Sequence, residues 1–290
     1  MRRQPAASSA RKSGSVTILV LWGMAIVFAL LVAASYTTRT ELAITRNEVG
    51  AAHARYAAEA GTQIGLARLL ARRAQGGAIF DGHPEAWRDG TVGVDIAIQD
   101  EAGRIDINQA PLELLEGLFV AIGRPKEDAL LLACRILERR GSTASDCPDL
   151  PGAPPLAPEV FVAPEELAAL PGFGDRLYAA IADDVTVATG ASAVDPMVAP
   201  RTVLLALPGA TPDVVDGWLS SREEIAQSEP EASGFETLGS SPYLMVSPVR
   251  DFTIVAVAKT ADGARARTEL QVRLTGNGGR PYQVMAWRNR

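Results

Sequence analysis

The residues of this chain whose types and spacing could do chemistry are a glycine-bearing turn, a cysteine pair and two short acidic runs. In Leu170-Pro171-Gly172-Phe173-Gly174, Gly172 and Gly174 would let backbone N–H groups approach a phosphate at the start of a following helix. Gly209, in Leu207-Pro208-Gly209-Ala210, repeats the turn without its second glycine. The neighbouring charges have the wrong sign for a phosphate partner. Arg176 sits among Glu165, Glu166, Asp183 and Asp184, and the second copy adds Asp213 and Asp216. The glycines are therefore read as permitting tight turns between helices. Cys134 and Cys147 would close a short loop if joined, stabilising by about 3 kcal/mol; spacing leaves a bridge and two free thiols equally open. Two cysteines with two histidines do not supply a zinc site of the usual ligand spacing. Neither His53 nor His83 has a neighbouring nucleophile signature. Acids within Asp81–Asp89 and Asp146–Asp149 offer oxygens for calcium but lack the EF-hand pattern, so they read as solvated loops. No constellation supports an enzyme.

Composition narrows the classes further. The chain has 290 residues, of which 47% are hydrophobic, enough to bury a core and too many for disorder. Arg2, Arg3, Arg11 and Lys12 give residues 1–14 a charge of +4 out of a net −6, which leaves the remainder at −10. An acidic body argues against nucleic acid as the partner, because that affinity rests on Lys and Arg neutralising phosphates.

The elements that must position these residues begin with a long helix. Ser13 to Thr38 carries no charge, and Val16–Ala34 is almost continuously apolar, about the length that spans a bilayer core. A secretory signal peptide cut at Ala33-Ala34-Ser35 is the competing reading. The basic residues precede the run, so the positive-inside bias puts the tail in the cytoplasm and exports the body as a single-pass protein. No proline interrupts Ser15–Gln75, and Leu42, Val49, Ala52, Tyr56, Ala60, Ile64, Ala67 and Ala71 form an apolar stripe at helical spacing. Gly50, Gly61 and Gly65 each weaken a helix by about 1 kcal/mol relative to alanine, and Gly76-Gly77 supplies the stop.

Beyond it, Thr91–Gln99 alternates as a half-buried strand, and Arg104–Ile107 is expected to return as its hairpin partner. Phe252–Ala258, Ala264–Leu274 and Tyr282–Trp287 are further strands, so helices are expected to interrupt one sheet. In the middle, Ala110-Pro111, Ala163-Pro164 and Ala199-Pro200 each open a Leu-rich helical stretch. Two echoes suggest repeated helix-hairpin-helix-like units: IDINQAP against VDPMVAP, and APEELAALPGFG against APRTVLLALPGA.

The leader ending in Gly14, followed by an uncharged helix that turns amphipathic, resembles a type IV pilin or pseudopilin signal. That resemblance implies cleavage after Gly14 by a prepilin peptidase and methylation of Ser15. Leu19 then occupies the fifth mature position, where the family usually has glutamate. With DEAGRIDINQAP (Asp100–Pro111), the APxxL…LPG stretches and the terminal RPYQVMAW, the whole chain resembles the type II secretion minor pseudopilin K family, also called general secretion pathway protein K. That family typically lacks the fifth-position glutamate, so Leu19 fits it.

The resemblance implies an α+β fold: a long transmembrane and amphipathic helix on an antiparallel, pilin-like sheet, with an inserted all-α domain of helix-hairpin-helix-like units. The divisions are a leader (1–14), a spanning helix (15–38), its amphipathic extension (39–75), the first part of the sheet (76–108), an inserted helical domain (109–240) and the completing strands (241–290). It further implies a bacterial inner-membrane protein with a cytoplasmic N-terminus and a periplasmic body. The partners it implies are other minor pseudopilins in a hetero-oligomeric tip complex, the prepilin peptidase and secreted substrate proteins. The family's calcium loop is replaced here by the proline-rich, acid-poor Cys147–Phe161 stretch. No cofactor is therefore assigned, and calcium enters only by resemblance, with no ligands to name. The alternatives are a membrane-anchored helix-hairpin-helix DNA-binding protein of competence type and a minor pilin of a type IV pilus.

Overall fold

The computed structural model describes residues 13–75, 79–90, 92–142, 144–148, 157–228, 238, 242–246, 250–277 and 279–289. Leader residues 1–12, the Gly76-Gly77 stop and most of the proline-rich stretch after Cys147 lie outside the described residues.

Helix α1, Ser13–Gln75, runs through Gly50, Gly61 and Gly65 without a break. Its first part, Val16–Ala33, has a mean hydropathy of 2.7 and is 0% buried. Further on, Ala54, Ala58, Gly61, Thr62, Gly65, Leu66 and Leu69 are buried at spacings of three and four, which lays one face on the sheet. The expected apolar stripe is not that face. Val49, Tyr56, Ala60, Ala67 and Ala71 are exposed; at 3.6 residues per turn they lie on the opposite side of the helix. The reason is close approach. A Cβ on Gly61 would sit 2.7 Å from Val94 and 2.8 Å from Ala256, and one on Gly65 would sit 2.5 Å from Ile254. The helix meets the sheet through its smallest residues, which a search for large apolar side chains passes over.

The sheet is antiparallel, in the order β1-β2-β5-β6-β7. Its strands are β1 (Glu85–Asp89), β2 (Val92–Asp100), β5 (Asp251–Lys259), β6 (Arg265–Asn277) and β7 (Arg280–Asn289). β1 escapes the sequence pattern because EAWRD lacks alternation; Arg68 and Arg72 of α1 both bind Glu85 and fasten it to the helix. Val94, Ile96, Ile254, Ala256, Leu270 and Val272 share one core with Ala58, Leu66 and Leu69.

The expected return strand at Arg104–Ile107 is corrected by the structure. Glu101–Gly103 forms a 3-10 turn, and β3 (Ile105–Asp106) pairs in parallel with β4 (Val185–Thr186), outside the main sheet. β5 holds the place beside β2, with Asp100 opposite Phe252. Ile105 N–H donates instead to Asp184 O at 2.9 Å, and Ile107 N–H to Thr186 O at 3.0 Å. The segment between β2 and β5 thus departs at Glu101, earlier than the expected boundary at 109.

This segment carries α2 (Leu112–Ala121), α3 (Lys126–Arg139), α4 (Gly174–Ile181), α5 (Arg201–Leu205) and α6 (Pro212–Ser228). Its core is separate, built on Leu114, Leu118, Phe119, Ile136, Leu167 and Trp218. The stretch after Ala163-Pro164 forms a 3-10 turn (Pro164–Ala169), not an α-helix. Pro171 disfavours helical geometry at Leu170, which ends that turn. The echo between IDINQAP and VDPMVAP has one structural cause. Asp106 Oδ1 accepts from Asn108 N–H and Asp195 Oδ1 from Met197 N–H, both at 2.9 Å. Each of these Asx turns leads into a proline, Pro111 or Pro200, that stands directly before a helix.

Candidate functional site

Among the described residues, α1 carries a long run of exposed large apolar side chains. Leu19 is 71% exposed, and Trp22 and Phe28 nearly as much. Gly14 and Ser15 stand in the first turn of the helix, at the head of the apolar run. From Val49 onward the same helix presents two faces, one closed by its own sheet and the other open along Val49, Tyr56 and Ala60. Arg55 lies over the Tyr56 ring at 5.3 Å from its centroid. One rigid element therefore combines a bare apolar length with a second, open face on the folded body.

The other residues singled out from the sequence lie apart from that surface, in the segment between β2 and β5. Cys134, in α3, is joined to Cys147 by a disulfide with Cα atoms 5.7 Å apart. Gly172, Gly174 and Gly209 have φ of 93°, 72° and 81°. A Cβ on Gly174 or Gly209 would meet nothing within 4 Å, so backbone conformation and not close approach requires glycine there. The turn before α3 and α3 itself bring Arg124, Asp128 and Arg135 beside Pro171-Gly172, a mixed-charge groove that local sequence does not reveal. Arg135 is engaged by Glu138 at 2.6 Å. Among the described residues, no group of three or more His, Cys, Asp or Glu is placed to hold a metal ion.

Sequence reasoning missed the polar junction between the two cores. Gln99 Nε2 donates to Asp100 O and Val198 O at 2.7 and 3.0 Å, Asp195 N–H donates to Ala102 O, and Arg222 pairs with Asp81. DEAGRIDINQAP is the centre of this junction. Asp100 Oδ1 accepts the Ala102 N–H, Glu101 pairs with Arg104 at 2.9 Å, and the Asn108 amide both donates to and accepts from the Phe161 backbone at 2.9 Å. Acidic and amide residues in an otherwise apolar stretch were the available signal.

Burial raises the Asp100 carboxyl to about 7, with nearby Asp195 adding to the shift, and burial likewise raises Asp184 to about 7 beside Asp183. A carboxyl raised in the folded state contributes stability fully below its unfolded value of 3.8 and loses it as pH climbs through about 7. Asp100→Asn keeps an acceptor for the Ala102 N–H and removes the buried charge. Thermal unfolding should give the variant a higher melting temperature than the parent at about pH 8, with the gap narrowing as pH falls and closing at about pH 4 or below. Equal melting temperatures at both values would show that Asp100 is hydrated in the folded chain.

This geometry defines a class of fold: a mixed α+β body in which one N-terminal helix, apolar and long enough over Val16–Ala33 to cross a membrane, packs its later part on an antiparallel sheet. No protein-family model matches the chain, and no curated protein does. Among solved structures it is similar to a chain in the crystal structure of the GspK-GspI-GspJ complex from the enterotoxigenic Escherichia coli type 2 secretion system. The likeness covers 88% of this chain and 99% of that one, with a TM-score of 0.49 and 12% identity.

Proposed function

We propose that the chain is a minor pseudopilin of a type II protein secretion system, placed at the pseudopilus tip, where it nucleates assembly with other minor pseudopilins and supports export across the outer membrane. The carrying observation is α1: bare and apolar over Val16–Ala33, then packed on its own sheet by one face and open on the opposite one. A helix of that kind is completed by neighbouring helices in the membrane and in a fibre. The prepilin peptidase removes residues 1–14 after Gly14 and methylates Ser15. The N-terminus starts in the cytoplasm, the anchor crosses the inner membrane, and the body works in the periplasm, where the Cys134–Cys147 disulfide persists. Secreted proteins are contacts of the assembled tip. The role is assembly and not catalysis.

Leu19 gives the tip position its physical sense. In a pilin bundle a glutamate at this place neutralises the N-terminal amine of an adjacent subunit, because an unpaired charge in an apolar bundle is costly. A chain with leucine there has no acid to offer a subunit above it. The segment between β2 and β5, as an inserted helical domain, adds bulk against further stacking.

The test is the intact mass and N-terminal sequence of membrane-extracted protein made with and without a prepilin peptidase. Loss of residues 1–14 with a methylated Ser15, only when the peptidase is present, is the expected result. An intact Met1, or a cut after Ala34 or Ser35 regardless of the peptidase, overturns the reading. Tip position is checked separately. Leu19→Glu should move the chain from fibre ends to internal positions in subunit cross-linking, and an unchanged pattern would mean that another feature sets the tip.

A further inference from the structure

The two edges of the main sheet differ in how they are guarded. β1 is short, carries Glu85, Arg88 and Asp89, and is fastened to α1. β7 has ten residues, and among the described residues it pairs only with β6. Native sheets protect such edges with charges, proline or very short strands. Here Pro281 and the arginines stand near the ends, while Gln283–Trp287 carries no charge. Val284, Met285 and Trp287 are 47%, 47% and 43% exposed. Tyr282, Val284 and Trp287 lie opposite Leu274, Val272 and Leu270, so they extend the apolar, helix-side face of the sheet past its covered part. The Trp287 indole N–H is already used by Asn289, which leaves its ring for contact.

Charge decides what fits this edge. β6 and β7 together hold five arginines (Arg265, Arg267, Arg273, Arg280 and Arg288) and one glutamate, Glu269. Three of these are engaged within the fold, Arg273 by Asp251 and Arg267 and Arg288 by Asp183, Glu165 and Glu269; Arg265 and Arg280 stand exposed towards opposite ends of the edge. A second copy of β7 is a poorer occupant: antiparallel self-pairing about Val284 would set exposed Arg280 of one copy across from Arg288 of the other, whose acids Glu269 and Glu165 are already engaged, so Arg280 gains no acid in the facing strand. We propose that β7 is a docking edge for an extended segment of a different protein, apolar at its centre and acidic at its ends, which adds to the sheet as a further strand. Backbone hydrogen bonds along β7 supply the affinity. Val284 and Trp287 take the alternate apolar side chains, and exposed Arg280 selects an acid at the near end. Met285 is the extra residue at the register shift between Gln271 and Val272, so the added strand follows the same bend. The inference stands on the edge itself and holds whichever assembly the chain joins.

The probe is a synthetic fluorescent peptide of alternating valine and threonine with aspartates at both ends, titrated by anisotropy against the full chain in detergent micelles. Controls are the same peptide with lysine ends and one with a central proline. The aspartate-ended peptide should bind at least about tenfold more tightly than either control. Met285→Lys puts a charge on the unguarded stretch without touching the core, and should weaken binding by about tenfold. Arg280→Glu should reverse the preference between aspartate and lysine ends. Circular dichroism of both variants must match the parent. Equal binding of aspartate- and lysine-ended peptides, or binding untouched by Met285→Lys, overturns the proposal. Sedimentation showing self-association that Met285→Lys abolishes would make the occupant a second copy, and also overturns it.

Discussion

Alanine at Gly65 is expected to destabilise the helix-on-sheet body by about 1–3 kcal/mol, although the same change in an isolated helix would gain about 1 kcal/mol. The new Cβ would lie 2.5 Å from Ile254 Cγ2 and 3.0 Å from Ile96 Cγ2. Both neighbours are β-branched and sit in central strands, so neither can swing away without disturbing a packed core. α1 must lift off or the strands must shift. Gly50→Ala is the matched control, since its Cβ would meet only Ala264 at 3.5 Å, an ordinary contact. Urea unfolding should give a lower midpoint for Gly65→Ala than for the parent, with Gly50→Ala equal to the parent or above it. A Gly65→Ala midpoint at or above the parent's would show that helix and sheet are not in the close contact described.

Reduction of the Cys134–Cys147 disulfide is expected to cost about 3 kcal/mol, the entropy regained by freeing its short loop. The loss should fall on one core only. Cys134 is buried among Leu115, Ile136 and Phe161, whereas the sheet core is built on Ile96, Ile254 and Leu270. The connections between the two are largely polar. Hydrogen exchange with and without a reductant should therefore lose protection in α2 and α3 while β5 and β6 keep theirs. Equal loss in both regions would show a single cooperative unit. Cys147→Ala, at the partly buried end, should reproduce the effect without reductant.

Much of the architecture was legible in the residues, for reasons that also explain the failures. β2 and β6 were readable because their side chains alternate, β5 because it is a run of apolar and β-branched residues, and β7 because it follows a glycine-rich break. α1 was readable because its first half is apolar on every side. The buried face of its second half was misread because Gly61 and Gly65 carry no hydrophobic signal, yet they are what allow contact. The parallel pair β3 and β4 could not be read, because Ile105–Asp106 and Val185–Thr186 are each two residues long and meet only through the fold. At the hairpins, Gly172 and Gly209 were visible as turns, but Arg124, from the turn between α2 and α3, and Arg135, from α3, reach the first of them from far away in sequence. The charge at that site could not be counted from its neighbours. The raised carboxyls were hidden too, since Asp100 and Asp184 look like ordinary turn residues until two packed cores enclose them.

The placement of the helical segment has one more consequence. It leaves the sheet at Asp100 and re-enters by Phe252, residues that face each other across adjacent antiparallel strands. To the sheet, everything from Glu101 to Arg250 is an oversized hairpin loop, and the entropy of closing a loop grows only slowly with its length. The strand register is set by the pairing of β2 with β5, and the loop adds side contacts to it, such as Val198 with Gln99 and Glu165 with Arg288. A chain in which a short reverse turn replaces residues 101–250 should keep the strand register and the α1 contact, leaving a minimal helix-on-sheet body from which the helical part can be subtracted, exchanged or grafted.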